Sequence, residues 1–123
     1  MSHPVIVAGT RSAIGTAGRS LAGIRADQLA GPVLAATLAR SGLTPEDVSD
    51  VVLGNCMGPG GDVARSASLA AGLPVTVPAL TVDRQCASGL AAIDVAVSLV
   101  RGGASAVLAG GVESVSTAPW RHW

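Results

Sequence analysis

The 123-residue chain contains no lysine, so its eight positive charges are all arginines, and these balance eight Asp and Glu residues. Without lysine the chain can form neither a lysine Schiff base, nor a P-loop lysine, nor the Ser-x-x-Lys type of acyl-enzyme site. The formal net charge of zero also leaves no basic stripe and no acidic tail. We therefore expect no binding to nucleic acid.

Aromatic residues are almost absent, because the chain has no Phe or Tyr and both tryptophans, Trp120 and Trp123, lie in its last four residues. A core must then be built from aliphatic side chains, each of which gains less on burial than an aromatic ring. Hydrophobic residues make up 49% of the chain, which is enough for one domain if the layers can close. The tryptophans are expected either to be buried against another chain or to belong to a frayed terminus.

Residues that bind metals are few, namely Cys56, Cys86, His3 and His122. They match no zinc-ligand spacing, so no metal site is expected. The apolar run at 5–8 is too short for the core of a signal peptide, and the longest apolar segment, 90–100, is too short to cross a bilayer. The sequence therefore favours a cytoplasmic protein with no membrane partner and with its thiols reduced.

Short apolar runs that end at glycine or polar residues predict four buried strands, at 5–8, 51–55, 79–83 and 106–109. Helical patterns lie between them at 27–41, 63–71 and 86–101, with a capped turn at 44–47. Asp27 is the predicted cap of the first helix and Gly42 its end, while Pro32 predicts a kink or a later start. Strands joined by helices predict an α/β fold with a doubly wound, mostly parallel sheet and helices on its faces.

Cys86 lies where the third predicted strand ends and a predicted helix begins. A thiol in the first turn of a helix faces free N–H groups and the positive end of the helix dipole, and both favour the thiolate. The small residues Ala87, Ser88 and Gly89 would let a carbonyl group approach the sulfur. The pattern predicts acyl transfer through a thioester on Cys86, with Ser88 and Gly89 binding substrate. A buried structural cysteine fits the same local pattern about equally well.

Three stretches occur in a fixed order, VIVAGTRSAIG at 5–15, TVDRQCASGL at 81–90 and AGGVESVSTAP at 109–119. They resemble, respectively, the opening strand, the nucleophile segment and the fourth strand with its exit in the thiolases, enzymes that make or cleave 3-ketoacyl-CoA. The resemblance implies a thiolase-like N-terminal half-domain over residues 1–123 with Cys86 as the catalytic nucleophile. It also implies coenzyme A thioesters as substrates and no tightly bound cofactor, and it assigns no cofactor-binding residue.

The resemblance covers about the first third of a thiolase. Nothing in the chain matches the Gly-His-Pro segment that supplies an activating histidine, or the Cys-x-Gly-x-Gly segment that supplies a second catalytic cysteine. His3 and His122 are expected to lie at the surface. The resemblance thus implies a nucleophile-bearing subunit or fragment, inactive alone, that a complementary C-terminal thiolase chain, a homo-oligomer or both would complete.

The sequence also predicts roles for four further residues and for one loop. Asp83 stands where thiolases commonly have Asn, so it places a negative charge near the sulfur unless Arg84 neutralises it. Glu113 is expected to hold a strand exit by hydrogen bonds, with catalysis as the less favoured role. The Gly- and Pro-rich loop 56–62 is expected at a subunit interface, and Cys56 is expected to be structural.

Two alternatives to a split thiolase remain open. The chain would be a non-catalytic interaction protein or remnant that binds a full-length relative, or a related condensing enzyme of the ketoacyl synthase type. An incomplete coding sequence would also explain the length.

Overall fold

The computed structural model describes residues 3–120. Its regular elements, in chain order, are α1 (Ala26–Ser41), a 3-10 turn (Pro45–Asp47), β1 (Asp50–Gly54), α2 (Val63–Ala70), β2 (Ala79–Val82), α3 (Ser88–Arg101), β3 (Val107–Gly111) and a second 3-10 turn (Val115–Thr117). The strands form one parallel sheet in the order β2-β1-β3. Three of the four predicted strands and all three predicted helices are confirmed.

Helices cover both faces of this sheet. On one face Val51 and Leu53 of β1 belong to a single apolar cluster with residues of α1 and α2, among them Leu34 and Ala67. Successive strand residues point to opposite faces, so Val52 lies on the other face, which α3 covers. Burial on both faces explains why β1 is a continuous apolar run rather than an alternating one. The predicted doubly wound α/β class is confirmed.

The first helix begins one residue before its predicted cap. Its N-cap is Arg25, whose backbone N–H donates to Gln28 Oε1 at 3.1 Å, while Asp27 lies inside the first turn. The hydrogen bond from the Arg25 guanidinium to Asp27 lowers the pKa of that carboxyl group. Pro32 does not delay the start of the helix, and Gly42 ends it with a φ of 75°. The expected end was therefore right, and the expected cap was wrong.

The first predicted strand, at 5–8, is not a strand in the structure. Val5, Ile6 and Val7 are 77%, 85% and 66% exposed. A strand needs a neighbouring backbone to pair its N–H and C=O groups, and among residues 3–120 none pairs with this run. The segment is attached instead through Thr10, whose hydroxyl donates to the Val33 carbonyl at 3.2 Å. An apolar pattern alone therefore predicted the wrong structure here.

The two ends of the described chain are exposed. His3 is exposed, as predicted, and Trp120 is 94% exposed. Trp123 and His122 lie outside the described residues, so the expectations for them stay predictions. No helix in the described part of the chain is both long enough and apolar enough to cross a membrane.

Candidate functional site

Cys86 lies beyond the carboxyl end of β2 and two residues before α3 begins at Ser88. It is exposed and is not paired in a disulfide. The expectation that the third helix begins at Cys86 was wrong, because residues 84–87 form a separate turn before the first helical residue. The thiol is thus at the edge of the sheet where parallel α/β folds place their ligands, and it does not lie in an apolar interior.

The turn that presents Cys86 contains a residue in an unusual conformation. Gln85 has a φ of 50°, in the left-handed region that side chains other than glycine rarely adopt. Such a conformation costs roughly 1–3 kcal/mol and persists only where surrounding contacts maintain it. Two backbone hydrogen bonds close the turn, from Ala87 N–H to the Arg84 carbonyl at 3.0 Å and from Ser88 N–H to the Gln85 carbonyl at 3.1 Å.

Glycines allow the start of α3 to lie directly against the ends of two strands. A Cβ atom at Gly54 would lie 2.3 Å from the carbonyl carbon of Ser88, and one at Gly111 would lie 3.0 Å from the Cα of Gly89. Both contacts are with backbone atoms, which cannot move aside as a flexible side chain can. The helix that follows Cys86 is thereby fixed against β1 and β3.

An open cavity of about 440 Å³ lies at this edge of the sheet, and its lining residues are Gly54, Cys56, Met57, Gln85, Cys86, Ser88, Gly89, Gly111, Val112 and Glu113. Its volume is within the range of about 300–1,000 Å³ that is usual for small-molecule sites. A second cavity, of about 340 Å³, is lined mainly by residues 12–17 and 111–116, and the part of its lining that the structure describes has no thiol or imidazole. The first cavity is therefore the candidate site.

The two predicted substrate-binding residues offer different groups to this cavity. Ser88 is only 5% exposed, and its hydroxyl accepts from Arg84 N–H and donates to the Gln85 carbonyl, both at 2.7 Å. The N–H of Gly89 has no acceptor among residues 3–120. It lies in the first turn of α3, where backbone N–H groups are free of helical partners. The Gly89 amide thus has no hydrogen-bond partner within the described residues.

Cys56 lies in the same cavity, which its assignment as a structural residue did not foresee. Its Sγ is 3.0 Å from the Gln85 carbonyl oxygen and 3.2 Å from Ser88 Oγ. The hydrogen bond with Ser88 lowers the pKa of the Cys56 thiol. Desolvation, a hydrogen bond with Asp83 and the charges of Asp83 and Glu113 together outweigh it, so the pKa is raised. The neutral thiol, which can donate to the Gln85 carbonyl, is therefore favoured. Its place directly after β1, at the same strand edge, was the signal in the sequence.

The two carboxylates near the site bind backbone amides. Glu113 accepts from the N–H of Cys56 and from the N–H of Met57, the latter at 3.3 Å. It thus connects the segment after β3 to the start of the loop 56–62, in agreement with its predicted hydrogen-bonding role. Asp83 Oδ1 accepts from the backbone N–H of Gln85 at 2.9 Å and so supports the turn before Cys86.

Among residues 3–120, no imidazole lies in the cavity lining. Within residues 3–120 there is also no group of three or more His, Cys, Asp and Glu side chains placed to hold a metal ion. The described residues thus bring two thiols, of Cys56 and Cys86, together with a Gly89 amide that has no partner among them, but no histidine that can act as a base.

An exposed cysteine between a strand and a helix of a parallel sheet defines the general class, an α/β protein with a candidate cysteine site at the carboxyl edge of its sheet. The profile of the family described as "Thiolase, N-terminal domain" matches residues 4–123. The chain belongs to the thiolase family. This match favours a thiolase over the related ketoacyl synthases.

Similar proteins agree with this family. The chain is 43% identical over 122 residues to a putative acetyl-CoA C-acetyltransferase, VraB, of Staphylococcus aureus, an alignment that covers 98% of this chain and 32% of that protein. It is 44% identical to an acetyl-CoA acetyltransferase of Cupriavidus necator, with 97% and 31% covered. The crystal structure of the Bacillus anthracis acetyl-CoA acetyltransferase superimposes with a TM-score of 0.92 at 43% identity and covers 97% of this chain and 31% of that one. The chain thus spans about a third of the length of these relatives.

Proposed function

We propose that Cys86 is the acyl-accepting nucleophile of a thiolase-type acyltransferase. The thiolate attacks the carbonyl carbon of an acyl-CoA thioester, the bond between that carbon and the coenzyme A sulfur breaks, and coenzyme A leaves as a thiol after taking up a proton. An enolate formed from acetyl-CoA then attacks the acyl-enzyme and makes a carbon-carbon bond, and the reverse sequence cleaves a 3-ketoacyl-CoA. The observation that carries this proposal is an exposed, unpaired Cys86 in the lining of a cavity at the carboxyl edge of the sheet.

The Gly89 amide supports the same chemistry. Attack on a thioester places negative charge on the carbonyl oxygen, and a backbone N–H that is already oriented stabilises such an oxyanion without reorganising during the reaction. Gly89 lines the cavity together with Cys86, and its N–H has no competing acceptor among residues 3–120. We assign Gly89 to substrate binding on this ground. Coenzyme A thioesters are the proposed substrates, and no tightly bound cofactor is needed for either step.

The acid–base groups are proposed to come from a complementary polypeptide, corresponding to the remaining two thirds of a thiolase. Forming an enolate requires a base beside the α-carbon of the substrate. Among the described residues the cavity lining has no histidine and one carboxylate, Glu113, which accepts hydrogen bonds from two backbone amides. Three consecutive exposed apolar residues at 5–7 offer a surface for such a partner. A second copy of the chain would add to this assembly, which we place in the cytoplasm.

The proposal is tested by mixing the chain with a separately expressed segment that covers the rest of the Cupriavidus necator acetyl-CoA acetyltransferase. Acetyl-CoA should then leave one acetyl group on the Cys86 peptide, detected by mass spectrometry, and acetoacetyl-CoA should be cleaved in the presence of coenzyme A. The variant Cys86→Ala should give no adduct. Cys56→Ser is the matched control, because it removes the other thiol of the cavity and should still be acetylated at Cys86.

Two outcomes would contradict the proposal. Cleavage by the chain alone as fast as by the mixture would refute the need for a complementary polypeptide. A stable complex in which Cys86 stays unmodified would refute the nucleophile role and favour the alternative of a non-catalytic interaction protein.

A further inference from the structure

We infer that Ser88 is a positioning residue for Cys86: its buried hydroxyl holds the strained turn that presents the sulfur, and it does not contact substrate. This inference rests on the proposed function, since it explains how the nucleophile is held for acyl transfer. It replaces the expectation that Ser88 binds substrate.

The hydrogen-bonding capacity of the Ser88 hydroxyl is already used within the protein. Its single proton is donated to the Gln85 carbonyl, and one lone pair accepts the N–H of Arg84, each at 2.7 Å. The Cys56 sulfur, at 3.2 Å, occupies the remaining side. The residue is also 5% exposed, because its backbone packs closely against Gly54. No donor is left for a substrate atom in the cavity.

The Gln85 carbonyl is the point at which these contacts meet. It accepts from Ser88 N–H at 3.1 Å, from Ser88 Oγ at 2.7 Å and from Cys56 Sγ at 3.0 Å. Ser88 therefore supplies two of the three donors that hold a residue with a φ of 50°. Cys86 is the next residue in the chain, so release of this carbonyl would let the peptide that carries the thiol rotate.

Ser68 provides a matched control. It is another buried serine, located in α2 and 0% exposed, and its hydroxyl has no hydrogen-bond partner among the described residues. Ser68→Ala and Ser88→Ala therefore remove the same atom from buried sites, but only the second removal breaks hydrogen bonds. Any general effect of deleting a buried hydroxyl should appear in both variants.

The experiment measures acetylation of Cys86 by p-nitrophenyl acetate. The sulfur attacks the ester carbonyl, p-nitrophenolate leaves, the thiol proton passes to the buffer, and peptide mass spectrometry separates Cys86 from Cys56. Ser88→Ala should slow acetylation of Cys86 about tenfold, because a displaced nucleophile loses its orientation. Ser68→Ala should change the rate less than about twofold, and Ser88→Thr, which keeps the hydroxyl, should restore at least about half of it.

Amide hydrogen exchange provides the second readout. In Ser88→Ala the N–H of Arg84 loses its acceptor, so its exchange should be about tenfold faster. The N–H of Ala64 donates to another hydroxyl, Thr81 Oγ1, at 2.9 Å and should keep its protection. Loss of protection at both amides would mean that Ser88 supports the whole fold, and this would overturn a local positioning role.

Fast exchange at Arg84 with an unchanged acetylation rate at Cys86 would also overturn the inference, because the turn would then be released without consequence for the sulfur. The positioning role of Ser88 and the proposed function can fail independently of each other. If Ser88→Ala slows the ester reaction but acetyl-CoA never modifies the unaltered protein in the mixture, acyl transfer fails while the positioning role of Ser88 stands.

Discussion

The sheet edge that lines the cavity, here called the cavity edge, and the N-terminal segment 3–25 differ in how completely other described residues pack against them and form hydrogen bonds with them. At the cavity edge, backbone packs on backbone at Gly54 and Gly111. The buried hydroxyl of Ser88 and the exposed carboxylate of Glu113 hold the turns there through hydrogen bonds. In the N-terminal segment Ile6 is 85% exposed and no strand forms. The contrast teaches that the turn carrying Cys86 is held by contacts within residues 3–120, whereas the apolar side chains of the opening segment lack a covering layer there.

The variant Gly54→Ala is the strongest test of this difference between the two regions. Its Cβ would lie 2.3 Å from backbone atoms of Ser88, so we expect a loss of about 3 kcal/mol in the free energy of unfolding. The midpoint of thermal unfolding, measured by circular dichroism, should fall by roughly 12 °C. Gly9→Ala is the control in the N-terminal segment, where a Cβ meets nothing within 4 Å, and it should cost less than about 0.5 kcal/mol. Equal losses in both variants would remove the distinction between the two regions.

The next largest effect is expected for Glu113→Gln. The carboxylate oxygens of Glu113 accept from the N–H groups of Cys56 and Met57, and the glutamine amide would keep one acceptor oxygen but lose the negative charge. The free energy of unfolding in urea should therefore fall by about 1–2 kcal/mol. Glu46→Gln is the control, since Glu46 is exposed like Glu113 but accepts no hydrogen bond from the described residues, and its effect should stay below about 0.5 kcal/mol. If both variants behave alike, Glu113 does not hold the loop.

A smaller effect should appear at alkaline pH. The pKa of the Cys56 thiol is raised in the folded protein, so its contribution to stability is complete below the ordinary thiol pKa of about 8.5 and is lost as pH rises through the higher folded value. The chain has no lysine or tyrosine to add to this loss. The free energy of unfolding, measured with urea, should be lower at about pH 10 than at about pH 7. This decrease should be smaller in Cys56→Ser and unchanged in Cys86→Ser. If the full decrease persists in Cys56→Ser, a group other than the Cys56 thiol causes it.

The smallest effect on unfolding is expected for Ile6→Asn, at less than about 0.5 kcal/mol, because the side chain is already 85% exposed. Its effect on assembly should be larger, with binding of the complementary thiolase segment weakened about tenfold in a titration, since a covered isoleucine loses its burial. Val75→Asn alters another exposed side chain, outside the N-terminal segment, and should change that affinity less than about twofold. Unchanged binding by Ile6→Asn would show that the opening segment is not the docking surface.

Local patterns were sufficient to predict most of the fold. The run Val51–Leu53 is apolar on both faces, which correctly indicated a strand between two helical layers. Cys86, between a strand and a helix, correctly indicated the carboxyl edge of the sheet. The same reasoning failed at 5–8, because a strand depends on a neighbour that the pattern of its own residues cannot reveal.

Long-range and conformational features of the site were not predictable. Cys56 meets the turn at Gln85 only because β1 and β2 are adjacent in the sheet, and strand order is not encoded in either segment alone. The role of Ser88 depends on the left-handed conformation of Gln85, which glutamine does not signal as glycine or asparagine would. In the sequence, the small residue Ser88 near Cys86 therefore suggested room for substrate. In the structure, its hydroxyl donates to the Gln85 carbonyl.

The solvent exposure of Trp120 has a practical consequence for studying assembly. Because the chain has no tyrosine or phenylalanine, its intrinsic ultraviolet fluorescence comes from Trp120 and Trp123 alone. With Trp123 replaced by Phe, emission would report on an indole that is 94% exposed. A blue shift on adding a tryptophan-free partner would then record the covering of this part of the surface without any attached label.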